Sequence, residues 1–567
     1  MGTDFVRAPA IVIGMAGLLA SALAVARPAH YVVFMLDTHD QAQPMYYARV
    51  DLADAPHYTT AAIASADEER VAWHAWKGGA DLGERSVAIP RLHGEFARDP
   101  EHGDGSIVAH HPAQAERSFV LRIPLDEADA VEFAGAGVTR HFDLAALAAQ
   151  AGSLPLASRT TNMQVVQAPQ SGNPANRVDL LVMGDGYTSA QQGLFNSDAM
   201  ILHDAFFNLT PYREYQSFVN WTTGFVASNQ SGADHPPYQA GCTTSACCAD
   251  PEAQTDPFAG QFVDTAFSAT FCPFQIHRLI TVSNAAVLTA AAAYPDWDKI
   301  VVVVNDSVYG GSGGNISVTS THPQASQIVL HEYGHSFSDL ADEYSSAYPG
   351  FPACSDLSGS APCEANVTNQ TSAGQVKWNS WFTPGNPIPT PAGTSGVGLF
   401  QGARYLGTGM YRPVDTQCLM HFLGVPFCPV CRQEYVRTLY RGGWGVPAGG
   451  IDLIEPGSES PGTASPVTYA VGTSQPFSAT LLQPSIGSLE VQWLLDGNPI
   501  GGANSPSYAF SQVGSTPSTR TLTLRVRDLT SDVSPQMAGA LLEHTRSWTI
   551  QVSNDVIFRN GFDAVGP

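Results

Sequence analysis

The chain has 567 residues, of which 44 % are hydrophobic and 14 % charged. That is enough apolar material for several cores at roughly 150 residues per domain, and it excludes wholesale disorder. Lys and Arg number 27 against 51 Asp and Glu, a formal net charge of −24, which argues against a phosphate-tracking nucleic-acid binder and against docking on anionic lipid. The 52 Gly and 40 Pro favour a loop-rich, largely β chain over a helical bundle.

Residues 1–26 read as an export signal. Arg7 is a short basic start, residues 8–26 carry no charge, and Ala24-Val25-Ala26 gives a small-x-small cleavage pattern before Arg27. The competing reading is a membrane anchor, since 19 uncharged residues approach spanning length. The expected address is secreted, or periplasmic or cell-surface, without stable membrane insertion. Nine cysteines all lie between Cys242 and Cys431, which marks one disulfide-containing domain and leaves at least one thiol free or paired outside the chain. Cys428 and Cys431 form a CxxC. With no second such pair, a structural disulfide is the expectation there, ahead of a zinc or redox site.

Residues 27–165 show short strand-like runs at 30–36, 46–52, 70–76 and 118–125, which predict an antiparallel β-sandwich. His110-His111 reads as a solvated loop pair. Residues 170–446 differ. The apolar runs 178–183 and Lys299–Val304 predict buried strands of an α/β sheet. A Gly-rich loop follows at 310–314. Residues 326–342 form a helical stretch with Ile328, Val329, Tyr333 and Phe337 as core contacts, and the chain is then mostly loop to Tyr440. A Gly/Pro/Ser-rich linker spans 445–466. Residues 466–553 predict a second β-sandwich of immunoglobulin or PKD type, with Trp493 central and Leu522, Leu524 and Val526 on one face. The tail, 554–567, is a sorting signal or a last strand and turn.

One segment carries the chemistry: His331-Glu332-Tyr333-Gly334-His335 is an HExxH. On a helix the two histidines stand one turn apart on one face, so both imidazoles can hold one zinc, with Glu332 placed to accept a proton from the attacking water. A third protein ligand is needed. On a continuing helix Asp342 would lie about 10 Å beyond His335, too far for a bond of about 2 Å. The chain must therefore turn back soon after His335. Metzincins do so at a glycine three residues after the second histidine. Here that pattern recovers with a one-residue shift, Asp339 turning and Asp342 ligating, since Asp tolerates positive φ. Glu343 is the competing ligand. Met420, 85 residues after His335 in Cys418-Leu419-Met420-His421, resembles a Met-turn beneath the ligands. Phe422 stands where a tyrosine ligand would be.

Over residues 175–440 the chain resembles the M64 metallopeptidases, the igalysins. The resemblance rests on Gly184-Asp185-Gly186-Tyr187-Thr188, Ser231-Gly232-Ala233-Asp234, Tyr309-Gly310-Gly311, the 331–344 segment, Trp378-Asn379-Ser380-Trp381, Gly402-Ala403-Arg404-Tyr405, Tyr411-Arg412-Pro413 and Phe427-Cys428-Pro429-Val430-Cys431. It implies a zinc endopeptidase with His331 and His335 as ligands, Glu332 as base and a β-rich domain ahead of the peptidase. The expected architecture is a metzincin-like α/β zinc peptidase domain between two β-sandwiches, acting on a protein or peptide substrate. An extended substrate would pair with an edge strand such as Lys299–Val304, and Tyr309, Arg404, Tyr405 and Arg412 are candidates to line the cleft. The rivals are an exported adhesion protein with a degenerate peptidase domain, and a zinc amidase acting on cell-wall peptide.

Overall fold

The computed structural model describes residues 26–53, 68–98, 105–112, 117–135, 137–157, 163–167, 171–239, 247, 250–314, 316–357, 361–442, 449–512 and 518–553. Residues 1–25 of the expected export signal, Cys242, Cys248, the first part of the linker and the tail 554–567 lie outside them.

The N-terminal region is built from two antiparallel sheets. One has the order Ala42–Leu52, Arg27–Leu36, Arg117–Pro124. The other has the order Ala80–Pro90, Glu68–Lys77, Ala130–Gly135, Val138–Asp143. Val32 and Phe34 pack into a core shared by both sheets with Trp73, Phe119 and Phe133. Tyr31 and Val33, on the opposite face, pack on the central domain, where the Tyr31 hydroxyl donates to the Leu288 carbonyl at 2.7 Å. A strand covered on both faces reads as an unbroken apolar run, which is what residues 31–34 are. One hairpin, Gly94–Ala97 with Ile107–His110, leaves these sheets. Its Phe96 and Ile107 belong to the core of the central domain.

The central sheet has six strands in the order Gln164–Gln167, Val219–Phe225, Val178–Asp185, Lys299–Val304, Ser317–Ser320, Gly311–Ser312. The inner four are mutually parallel and the two outer strands are antiparallel to them. Lys299–Val304 is therefore interior and cannot accept a substrate strand. The expected edge is wrong, because a strand apolar on both faces is one that neighbours cover. The true edge on the site side is Gly311–Ser312, inside the segment expected to be a loop. Leu180, Val182, Val301 and Val303 face the Ser326–Ser338 helix, and Leu181, Met183, Val302 and Val304 face the Asn284–Ala290 helix.

The Gly-Asp-Gly turn after Val178–Asp185 has a packing reason. Asp185 is buried and accepts from the Phe267 and Ala269 amides at 3.0 and 2.9 Å and from the Thr265 hydroxyl at 2.9 Å. Gly186 sits at φ +73°, and a Cβ there would lie 2.1 Å from the Gly232 carbonyl oxygen.

Beyond the central domain, Val467–Ala470, Glu543–Ser553, Ser518–Asp528, Leu489–Leu495 and Asn498–Pro499 form a five-stranded sheet, with Gln475–Ser478 and Ser507–Phe510 as a second pair. Trp493 and Trp548 stack at 5.4 Å between them. Leu522, Leu524 and Val526 are all fully buried, as their alternation predicts. The described part of the linker is docked and not loose: Ile451, Leu453 and Ile454 are buried, and Asp452 is tied to Asn176 and Arg546.

Candidate metal centre

The Ser326–Ser338 helix lies in the core, with Ile328, Val329, Leu330 and Phe337 fully buried and Tyr333 nearly so. It stops at Ser338 and does not run on to residue 342. Asp339 takes the left-handed conformation, φ 49° and ψ 43°, and its amide donates to the His335 carbonyl at 3.0 Å while the Leu340 amide reaches Gly334 at 3.3 Å. This turn satisfies the end of the helix and sends the chain back along it.

The result is a compact donor set. His331 Nε2 and His335 Nε2 are 3.1 Å apart, and Asp342 Oδ1 stands 3.3 and 3.5 Å from them. Each imidazole engages a backbone carbonyl through Nδ1, His331 with Leu419 at 2.8 Å and His335 with Leu340 at 2.6 Å. That turns both Nε2 atoms inward as the ligand atoms of the set. Asp342 is held by the Tyr405 hydroxyl, which donates to Oδ2 at 2.5 Å, while the buried Oδ1 accepts no well-formed hydrogen bond. Met420 lies beneath, fully buried. A Cβ on Gly334 would meet its sulfur at 2.8 Å.

Glu343, the competing third ligand, points elsewhere. It joins Cys418, Cys428 and Cys431, which are free and buried, so the expected disulfide at Cys428 and Cys431 is absent. Cys247–Cys272 and Cys354–Cys363 are the bridges among the described residues.

The N-terminal hairpin supplies two residues that the sequence reading missed. Glu95 is fully buried, with Oε2 against His331 Nε2 and 3.4 Å from His335 Nε2. Its Oε1 accepts from the Tyr344 hydroxyl. His93 Nε2 pairs with Glu332 Oε2, and Glu332 Oε1 is buried without a partner. The His93 backbone also exchanges two hydrogen bonds with Gly313, at 2.9 and 3.3 Å, and so adds a short antiparallel rung beside the sheet edge. No local signal marks Glu95 or His93, because they meet the helix from far away in the chain, His93 reaching Glu332 across 239 residues and Glu95 reaching His335 across 240. In the absence of a cation, burial would strip both histidines of their extra proton. The carboxylates reverse this: Glu95 foremost carries His331 up to about 10, and Asp342 foremost carries His335 well above its usual value. The set thus holds protons or a cation, and a metal must displace protons to bind.

The remaining cleft candidates divide. Tyr405 orients Asp342. Arg404 pairs with Glu364 at 2.8 Å and Arg412 with Asp415 at 3.1 Å, so both serve the framework. The Tyr309 hydroxyl accepts from the Ala97 amide at 3.0 Å and anchors the hairpin. His111 is not a solvated residue: it stacks on Tyr348 at 4.0 Å and meets Tyr405 edge-on.

Two imidazole nitrogens and a carboxylate oxygen, preorganised by backbone carbonyls and a tyrosine around an orphaned buried oxygen, suit a divalent cation of the zinc type. Residues 166–247 and 245–395 match the family model of the IgA peptidase M64 family. A comparison with curated proteins finds no match.

Proposed function

Starting from a region, residues 166–395, that belongs to the IgA peptidase M64 family, we propose that the chain is an exported, zinc-dependent endopeptidase kept latent by its own N-terminal hairpin. The observation that carries the catalytic reading is the unbonded, buried Asp342 Oδ1 facing two Nε2 atoms whose Nδ1 partners are already fixed. His331, His335 and Asp342 would hold the ion. When bound, zinc would acidify a water and polarise the scissile carbonyl. Glu332 takes the proton of the attacking water and returns it to the leaving amine, a role its place next to His331 allows. The Nδ1 contacts to Leu419 and Leu340 and the Tyr405 hydroxyl hold the ligands through the cycle. A peptide substrate would pair at Gly313, where His93 now does, since the Arg278 carbonyl already takes the Gly311 amide at 3.1 Å.

A catalytic ion needs an open position for water. With an ion held by the three residues, Glu95 would take that position, and His93 engages the base, so the seated hairpin would exclude both water and substrate. A metzincin-like arrangement of the central domain fits the mixed sheet with its antiparallel edge strand. The immunoglobulin/PKD-like reading of residues 466–553 fits the two sheets closed over Trp493 and Trp548. The intact Glu332 disfavours a degenerate adhesion protein.

The test uses the zinc-loaded full chain carrying Glu95→Ala. It should hydrolyse a casein-like protein, stop on dialysis against a chelator and resume with zinc. Hydrolysis indifferent to chelation contradicts the reading, and cleavage of peptidoglycan without any proteolysis points to the amidase instead.

A further inference from the structure

We propose that Cys418, Cys428, Cys431 and Glu343 form a second metal site, a closed structural zinc site separate from the peptidase centre. The Cys418 and Cys431 sulfurs are 3.5 Å apart and those of Cys428 and Cys431 3.6 Å apart. Glu343 Oε1 is 3.4 Å from Cys418 Sγ and 3.2 Å from Cys431 Sγ. A disulfide would bring two of these sulfurs to about 2.05 Å. Four ligands around one tetrahedral zinc, with bonds of about 2.3 Å to sulfur and about 2.0 Å to oxygen, space sulfur from sulfur by about 3.8 Å and sulfur from oxygen by about 3.5 Å. The observed separations follow the second pattern, contracted by a few tenths of an ångström.

Burial supports the same assignment. All four side chains are buried, and Glu343 Oε2 has no hydrogen-bond partner. The nearby Arg412 guanidinium is committed to Asp415 and to the Gln401 and Gly402 carbonyls. Neutral thiols bury at little cost, but a carboxylate shut away from water with one oxygen unpartnered is costly, and a cation gathered by the three sulfurs would meet it. The surroundings are built for ligation. The Asn366 amide donates to Glu343 Oε1 at 3.0 Å. Cys428 is the N-cap of the Pro429–Arg441 helix, and its own amide points at Cys418 Sγ at 3.5 Å. That helix end favours a thiolate. A redox CxxC would need access to a partner thiol, and these sulfurs are covered.

Position gives the site its role. Glu343 directly follows Asp342, and its amide donates to the Met420 carbonyl at 2.7 Å. Leu419, the carbonyl partner of His331, follows Cys418. The ion would join the loop of the third ligand, the turn beneath the centre and the helix that closes the domain. The assignment does not depend on catalysis.

The test is metal analysis of the purified full chain. A His331→Ala, His335→Ala chain should retain one zinc, and adding Cys428→Ser and Cys431→Ser should remove it. In case the serine variants fail to fold, the histidine variant alone also decides. Its Cys418, Cys428 and Cys431 should resist alkylation until a chelator is added, and cobalt in place of zinc should give thiolate-to-metal absorption in the near ultraviolet. A histidine variant without zinc, alkylation equal with and without chelator, or a Cys428–Cys431 disulfide in the peptide map would overturn the proposal.

Discussion

Glu332 and Gly334 flank Tyr333 on one turn of the site helix, and each has one acceptable side chain for its own reason. Glu332 is the proton carrier of the proposed reaction, and on that proposal Glu332→Ala in the Glu95→Ala background should keep its metal and lose activity by about 10²- to 10⁴-fold, the usual worth of a general base. A fully active variant with unchanged metal content would remove Glu332 from that role. Gly334 faces the Met420 sulfur, 2.8 Å from where a Cβ would stand. Alanine gains about 1 kcal/mol in helix propensity, but overpacking a closed core costs about 1–3 kcal/mol. The neighbourhood is fully buried, so the clash should win. Gly334→Ala should lower the midpoint of denaturant unfolding, and a raised midpoint would contradict the packing argument. At this scale the sequence was informative where contacts are local: the facing of His331 and His335 follows from helical spacing, and the turn at Asp339 from the metzincin pattern shifted by one residue. Glu95 and the partnership of Glu343 with three cysteines did not follow, because each joins residues far apart in the chain with no shared pattern.

Among elements, the segments around Asp256 and Asp306 are joined by a buried histidine, His235, between their two carboxylates. His235 Nδ1 meets Asp256 at 2.7 Å and Nε2 meets Asp306 at 2.9 Å, while His277 shares Asp256 at 2.8 Å and Phe271 stacks on the His235 ring. Burial alone would lower its pKa, but the bonds to Asp256 and Asp306 carry it up to about 9. The folded value exceeds the unfolded one near 6.5, so this stabilisation is complete below about 6.5 and fades as pH rises through about 9. The thermal transition of the central domain should therefore fall between pH 7 and 10. His235→Gln should flatten that slope, and an unchanged slope would contradict the assignment. Element type was legible from apolar runs. Element position was less so: the all-apolar Lys299–Val304 marks an interior strand, and the edge is the two-residue Gly311–Ser312, too short and glycine-rich to announce itself.

For the whole molecule, the three regions are joined by polar anchors set in apolar cores. Tyr215 and Tyr440 both donate to Asp528 Oδ2, at 2.6 and 2.8 Å, across the junction with the C-terminal sheets. The N-terminal hairpin is seated by Tyr309, by Arg278, which donates to the Ala97 carbonyl at 2.7 Å, and by Gly105, whose carbonyl accepts from Leu423 at 2.9 Å. If that seat imposes latency, Glu95→Ala should raise kcat/KM of the zinc-loaded full chain on a protein substrate at least about 10-fold, equivalent to about 1.4 kcal/mol. Loss of activity would instead make Glu95 part of the working centre. The strand-rich stretches at either end of the chain were read from apolar runs and alternation, whereas the docking of one region into another was not, since interface residues look like any other core.

The most direct measurement is anomalous scattering at the zinc edge from crystals of the zinc-loaded chain. The account predicts a peak bonded to the Nε2 atoms of His331 and His335 and to Oδ1 of Asp342. Zinc-replete crystals with no peak there, and with the two imidazoles turned apart, would contradict it.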